Sequence, residues 1–279
     1  VISTKKGGQE GNFTVSYNGF AGNQVVTNLV EMANGPQYAE IVNELDQINH
    51  AVSGSTDPFV PRYADPSSYG TTQWHRQILR NAFIQNHNIA IAGGTEKASH
   101  SFSLGYLDQD GIVEQHNYQR YTGRLQSEFG PFEIFKIGYT ATAALGRSDG
   151  IPGGIFHELF SASPITPVYY SDGTYGDPND YRAGGSNLFN PQATLDFFDQ
   201  NSKNYRVTGN VFAELTLFKS LTFRTSLGGD WGQNEVNRFE TIYVGTFAQR
   251  NTTSKVTLSQ DVTRNCIFEN TLTYSKDVN

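Results

Sequence analysis

Residues 88–130 decide the fold, and they read NIAIAGGTEKASHSFSLGYLDQDGIVEQHNYQRYTGRLQSEFG. Around Phe102 and Leu104, apolar side chains alternate with small polar ones, and the same alternation returns in residues 121–126. A period of two indicates strands with one apolar and one polar face. The glycine-rich residues 93–97 are typical of a short hairpin turn. The stretch therefore predicts three consecutive antiparallel strands.

The composition is that of a β-rich chain with little charge. Charged residues make up 17% of the 279 residues, aromatic residues make up 13%, and glycine occurs 28 times. Such a composition suits strands that face either lipid or a packed core, so a soluble β-sandwich or solenoid stays open at this point. The net charge of −7 argues against a nucleic-acid partner, which requires a basic face. No run approaches the roughly 18 consecutive apolar residues of a transmembrane helix.

Eight strand candidates follow one another, at residues 12–22, 86–93, 99–107, 118–129, 133–147, 204–218, 221–233 and 255–275. Short and long connections alternate between them. The tight connections are 93–97, 130–132 and 218–220. The long connections are 23–85, 108–117, 150–203 and 234–254. In an antiparallel up-and-down meander this alternation brings all tight turns to one end, as in outer-membrane β-barrels, whereas Greek-key sandwiches are less regular. The sequence therefore predicts an all-β fold, a partial transmembrane barrel of about eight strands.

The two faces of the predicted strands differ in chemistry. The face expected to contact lipid carries Phe135, Ile137, Tyr139, Val207, Val211, Leu215, Phe223 and Leu227. The other face carries small and polar residues, among them Ser101, Ser103, Gly105, Gly138, Thr140, Thr142, Thr208 and Thr222. Such residues suit a wide lumen and fill a narrow one poorly, so we expect an open sheet with strands 12–22 and 255–275 at its edges. Small helices are predicted in the first long loop, at 36–45 and 74–80.

Several short motifs are distinctive in their order along the chain. The most specific are QNHN at 85–88, GGTEK at 93–97, SLGYLDQDGI at 103–112 and YQRY at 118–121. Together with VISTKKG at 1–7 and TQWHRQILR at 72–80, they resemble the SusC/RagA family of TonB-dependent outer-membrane transporters, which occurs mostly in Bacteroidetes. The match is strong from residue 1 to about residue 149 and then rests on the strand pattern.

The resemblance implies a barrel of about 22 strands closed by an N-terminal plug domain. Residues 1–10 would end the plug and link it to the barrel, and residues 11–279 would form the N-terminal part of the barrel. Loops 23–85, 150–203 and 234–254 would lie outside the cell. The chain would be an internal fragment of a protein in the outer membrane of a Gram-negative bacterium, in contact with membrane lipid.

The same resemblance implies partners and a cargo. A SusD-like surface lipoprotein would cover the barrel, and the TonB complex would supply energy through an N-terminal region that this chain lacks. The cargo would be an oligosaccharide or a peptide. A second interpretation, a soluble or surface-attached β-rich carbohydrate-binding module, belongs to a different functional class and is distinguished by whether the protein requires detergent.

Enzyme chemistry, cofactors and metals are not predicted. The histidines lack metal-ligand spacing, Cys266 is the only cysteine, and the acidic residues 172–180 do not have the spacing of a calcium-binding EF-hand. Glu158, Asp196 and Asp199 could form a carboxylate pair for glycoside hydrolysis, but their loop offers no environment that would shift a pKa.

Four loop tyrosines are the candidate substrate-binding residues: Tyr169, Tyr170, Tyr175 and Tyr181. Aromatic faces stack on sugars and pack against peptides, which makes a loop rich in tyrosine suitable for either cargo. The alternative is that these side chains pack the loop against itself or against the lipoprotein partner. The sequence leaves both alternatives open.

Overall fold

The computed structural model describes residues 13–181, 188–218 and 220–275. Residues 1–10, predicted to end a plug domain, lie outside this part of the chain, as does Lys219 in the predicted turn 218–220. In the described residues, no helix is both long and apolar enough to cross a membrane.

Eight long strands form one antiparallel sheet. They are β1 (Thr14–Gln24), β2 (Ala82–Thr95), β3 (Ala98–Asp110), β4 (Asn117–Phe132), β5 (Phe135–Asp149), β6 (Asp199–Leu217), β7 (Leu221–Glu240) and β10 (Lys255–Tyr274). Two short strands, β8 (Tyr243–Val244) and β9 (Arg250–Asn251), lie between β7 and β10 in the chain. The sheet order is β1-β2-β3-β4-β5-β6-β7-β10, while β8 and β9 form a separate small hairpin. Each long strand therefore pairs with the next long strand along the chain, and β1 and β10 are the edges. The predicted open meander is confirmed.

The register confirms the predicted division between the faces. Tyr139 is registered with Val211, and Val211 with Leu227, so these side chains point to the same side of the sheet. No second sheet covers this apolar face in the described part of the chain, and Val211 is 42% exposed. We call it the exterior face and the opposite side the inner face.

The inner face carries paired charges and small residues. Arg206 Nη2 lies 2.8 Å from Asp230 Oδ2, and Arg224 Nη1 lies 3.2 Å from Glu214 Oε2. The guanidinium of Arg224 also stacks 3.7 Å above the ring of Phe212. A Cβ atom at Gly138 would lie 2.6 Å from that ring, so the absence of a side chain there makes room for it.

Several predicted boundaries are wrong. The third long loop, predicted at 150–203, ends at residue 198 because β6 begins at Asp199. The last loop begins after Glu240 rather than at residue 234, and it contains the β8–β9 hairpin. These strand ends are polar, so the apolar period does not mark them, although their backbones still pair. The first loop likewise shortens to residues 25–81.

The predicted turn at 130–132 is also misplaced. Strand β4 continues to Phe132, the turn falls at residues 133–134, and the register between β4 and β5 shifts between Phe129 and Phe132. The Gly130-Pro131 pair therefore marks an irregularity within a strand rather than a turn, as proline in a sheet often does.

The buried core lies in the loops rather than under the sheet. In the part of the loops that the structure describes, there are four α-helices: α1 (Gly35–Val52), α2 (Trp74–Ile78), α3 (Ile155–Ser161) and α4 (Pro191–Asp196). The helices α1 and α2 confirm the prediction for the first loop, while α3 and α4 had not been predicted. Helix α1 begins with a capping box, in which the Asn34 side chain accepts from Gln37 N and the Gln37 side chain accepts from Asn34 N.

Candidate substrate-binding site at the loop end

The long loops pack together into one platform at one end of the sheet. Trp74 of α2 is 3% exposed and lies in a buried cluster with Ile155 and Leu159 of α3. Its indole Nε1 donates a hydrogen bond to the Ser163 carbonyl at 3.1 Å. The backbone N of Thr72 donates to the Pro164 carbonyl at 2.7 Å. The first and third long loops are therefore held together by apolar burial and by backbone hydrogen bonds.

The other loops join the same platform. Arg80 Nε donates to the Gly111 carbonyl at 3.2 Å, which ties α2 to the loop between β3 and β4. The loop after β7 is joined through Gln249, whose Oε1 accepts from Asn190 N at 2.6 Å and whose Nε2 donates to the Asn190 carbonyl at 3.1 Å. This reciprocal pair is buried, so it fixes the position of one loop against the other.

A cleft of about 740 Å³ opens between the first and third long loops. One wall is residues 29–38 and another is residues 71–76, with residues 159–164 opposite. Val30 and Met32 line the cleft and are 61% and 45% exposed, beside polar groups such as those of Asn34 and Gln37. Apolar surface with a few polar groups in a concave site is typical of small-molecule and peptide sites.

The charged groups of the cleft are few. Glu31, His75 and Arg76 line it. Burial lowers the pKa of His75 from its ordinary value, and the neighbouring Arg76 lowers it further. Both effects favour the neutral form of the His75 imidazole.

Two of the predicted tyrosines meet at one carboxylate. The hydroxyl groups of Tyr169 and Tyr175 both donate to Asp196 Oδ2, at 3.2 and 2.9 Å, and their ring centroids are 5.0 Å apart. Burial raises the pKa of both phenols, and the Asp196 carboxylate raises each further. Both phenols therefore remain hydrogen-bond donors at neutral pH. Of the two, Tyr169 keeps an exposed side chain and Tyr175 is half-buried.

The aromatic contacts continue beyond the predicted residues. Tyr175 packs edge-on against Phe197 with ring centroids 5.6 Å apart, and Phe197 stacks on Tyr243 at 4.1 Å. The sequence interpretation missed Phe197 and Tyr243. They lie in different connections along the chain, so only the packing of α4 against the loop after β7 brings them together.

Tyr170 and Tyr181 lie apart from that pair. The Tyr170 hydroxyl donates to Asp180 Oδ2 at 2.7 Å. The Tyr181 carbonyl accepts from the hydroxyls of Tyr38 and Tyr63, at 3.1 and 2.8 Å, beside α1. Burial is the largest cause that raises the pKa of Tyr63 to about 12, and the neighbouring Tyr38 is the second. The four predicted tyrosines therefore do not form one cluster and do not line the cleft, and substrate contact by them stays a prediction.

The remaining candidate groups serve the loop structure. Asp172 accepts from both the backbone N and the hydroxyl of Thr174, at 2.9 and 2.6 Å, as in an Asx turn. Glu158 is buried in α3, and burial raises the pKa of its carboxyl group. Within the described ranges, no group of three or more His, Cys, Asp or Glu side chains is placed to hold a metal ion.

Comparison with known proteins finds relatives that share these features. No family model matches the chain. The chain is 25% identical over 242 residues to TonB-dependent receptor P26 of Formosa agariphila, which covers 86% of this chain and 23% of the receptor. It is 24% identical over 258 residues to TonB-dependent receptor SusC of Bacteroides thetaiotaomicron, covering 84% of this chain and 24% of SusC. These matches confirm the resemblance of the chain to TonB-dependent receptors of the SusC/RagA type.

Solved structures show the same fold. The RagAB peptide importer in its closed-closed state matches with a TM-score of 0.73 and 19% identity, over 99% of this chain and 34% of that chain. Its open-open state matches with the same TM-score. The SusC/RagA family is a family of transporters rather than enzymes, as predicted. The chain spans about a quarter of the length of the curated relatives it matches.

Proposed function

We propose that this chain forms part of the wall and of the extracellular mouth of an outer-membrane, TonB-dependent transporter of the SusC/RagA type. In this proposal residues 11–279 are the N-terminal part of the barrel, and the bacterium is one of the Bacteroidetes. The observation that carries it is the exposed apolar face of the sheet. Along β5 this face is apolar at alternate positions from Phe135 to Leu145, which matches the roughly 9–11 residues of a tilted strand that crosses a bilayer.

The cargo is an oligosaccharide or a peptide that enters through the loop platform. The cleft of about 740 Å³ has the size and mixed lining that such a ligand requires. The description of the RagAB relative as a peptide importer supports a peptide. The exposed ring of Tyr169 supports stacking on a sugar equally well, so the class of cargo is the outcome of the test below.

A SusD-like surface lipoprotein covers the loop platform in this proposal. Helix α1 buries Ala39 and Val42 on one side and exposes a second apolar stripe on another. The stripe consists of Ile41, Leu45, Ile48 and Val52, which are 42–82% exposed. An exposed stripe of this kind supports contact with another protein at the loop end of the barrel.

The proposal is tested by uptake in cells. A strain that lacks the gene is complemented with the full-length protein, with Met32→Asp in the cleft, or with Glu96→Gln in the tight turn at the opposite end as the control. Fluorescent oligosaccharides and peptides are supplied in parallel. We expect one cargo class to accumulate, the cleft variant to abolish its uptake, and the control to retain it. If deletion of the gene leaves the uptake of both classes unchanged, the proposal is wrong.

A further inference from the structure

The exterior face of the sheet has a groove that is lined almost entirely by apolar side chains. Its volume is about 560 Å³. Successive registered residues cross it from β2 to β7: Ile89, Leu104, Gly123, Ala143, Val207 and Trp231. The groove is deep at its centre because Gly123 and Ala143 are small, while larger side chains stand on both sides of them.

Tyrosines border the groove on the side of the long loops. On β3, β4 and β6 the groove is lined two residues nearer the long loops by Tyr106, Tyr121 and Tyr205. The rings of Tyr106 and Tyr121 lie 5.0 Å apart, centroid to centroid. Tyrosine is enriched where a membrane protein meets the boundary between hydrocarbon and water, because its ring is amphipathic. The border therefore marks the headgroup level of the proposed membrane.

Two cations stand directly beyond the tyrosines. Arg147 of β5 and Lys203 of β6 are registered with each other on the exterior face and line a polar pocket of about 450 Å³. Neither has an ion pair with a carboxylate of the described residues. Two like charges side by side across strands are unfavourable unless an anion lies between them.

Three carboxylates lie on the same face near this pair, and none of them forms an ion pair with it in the described residues. Asp108 accepts hydrogen bonds from Gln85, Asn117 and Gln119, at 3.2–3.3 Å. Glu235, which is registered with Lys203, accepts from Gln233 Nε2 at 2.6 Å. Asp149 lies one pair further toward the loops and is exposed.

We propose that this face binds an anionic lipid, with a phosphate monoester of its headgroup between Arg147 and Lys203 and an acyl chain in the groove. The inference rests on the proposed outer-membrane location. Charge complementarity selects the headgroup, and the position of the apolar groove directly below it selects a lipid rather than a free anion. Each cation at the headgroup level raises the association constant of an acidic lipid about fivefold.

The ring of Trp231 in the groove provides the measurement. The full-length protein is reconstituted into vesicles of unbrominated phosphatidylcholine that contain the same fraction of either brominated phosphatidylcholine or brominated phosphatidic acid, since bromine on the acyl chain quenches nearby tryptophan. The signal of Trp231 is the difference between the wild type and Trp231→Phe. We expect phosphatidic acid to quench this signal preferentially. The double variant Arg147→Gln/Lys203→Gln should lower the relative association constant of phosphatidic acid about 25-fold.

Two further variants separate the parts of the site. Lys97→Gln, in the tight turn at the opposite end, removes one cation as a control and should leave the preference intact. Gly123→Leu fills the groove and should abolish the preference; a Cβ there would lie 3.7 Å from Leu104 Cδ2, so the sheet accommodates it. Millimolar inorganic phosphate should not relieve the quenching; full relief would indicate a phosphate site without a lipid and overturn the proposal.

The outcomes also distinguish this inference from the proposed function. If both brominated lipids quench Trp231 equally, the membrane location stands and the anionic-lipid site is wrong. If neither lipid quenches Trp231, or if another protein covers the groove in the purified complex, the exterior face does not contact lipid there and the membrane location of this face is wrong as well.

Discussion

A substitution at Val211 is the most direct test that the exterior face contacts lipid. It lies near the middle of the apolar stretch of β6, registered with Tyr139 of β5 and Leu227 of β7. Val211→Arg would place a charge in the hydrocarbon near mid-depth, which costs about 2–4 kcal/mol in a transmembrane barrel. That energy corresponds to a roughly 30- to 700-fold fall in the ratio of folded to unfolded protein.

The matched control is Thr208→Arg on the inner face of the same strand. Thr208 is registered with Thr142 and Asp230, so the new cation meets polar groups and a carboxylate. We expect a change within about 0.5 kcal/mol. The assay is guanidinium unfolding of the full-length protein in phosphatidylcholine vesicles. Equal stability of the two arginine variants would refute the assignment of exterior and inner faces, since that assignment places Val211 against hydrocarbon and Thr208 among polar groups.

Three further variants test the loop platform. Ile78→Ala, at a fully buried position, should destabilise the loops by about 2–5 kcal/mol and speed their limited proteolysis, whereas the exposed Ile41→Ala should not. Glu158→Gln should make the loops more protease-resistant at neutral pH. Burial raises the pKa of the Glu158 carboxyl group above its usual value of 4.5, so the wild-type loops lose stability as the pH rises through the raised pKa. Near pH ~4 the carboxyl group is protonated in the folded loops, and the two proteins should be equally resistant. Tyr175→Phe should weaken the loops by about 1.5–3 kcal/mol in the same assay, because it removes the hydrogen bond to the Asp196 carboxylate; unchanged proteolysis would show that this bond contributes nothing.

In the proposed membrane location, the strands could be predicted from the sequence because a bilayer imposes a simple pattern on them. A face that contacts hydrocarbon needs an apolar side chain at nearly every second position, and this requirement is visible at Val207, Val211 and Leu215. Where a strand leaves the bilayer the requirement ends, although backbone pairing continues. For that reason the ends of β6 and β7, at Asp199 and Glu240, could not be located from the alternation of side chains.

The loop platform could be predicted only in part. The helix α1 could be predicted because Pro36 suits a first helical position and apolar residues recur on one side. Helices α3 and α4 are short, and each buries its side chains against segments far away in the sequence, so no local period reveals them. The pairing of Tyr175 with Phe197 and Tyr243 likewise depends on tertiary contacts between separate loops.

The distribution of burial separates two parts of the chain with different physical requirements. Trp74, Ile78 and Leu195 are buried in the loops by other parts of the same chain, so the loop platform has a hydrophobic core of its own. Among the described residues the sheet has no such core: Leu104 and Leu227 are about half exposed on one side, and the opposite side is polar. In water that arrangement would leave a continuous apolar surface uncovered at a large cost. In a bilayer the lipid covers it, and each interior backbone group is already paired along the sheet. The platform is therefore stabilised by its own packing, whereas the sheet depends on its surroundings, and substitutions in the two parts should respond differently to a change from lipid to detergent.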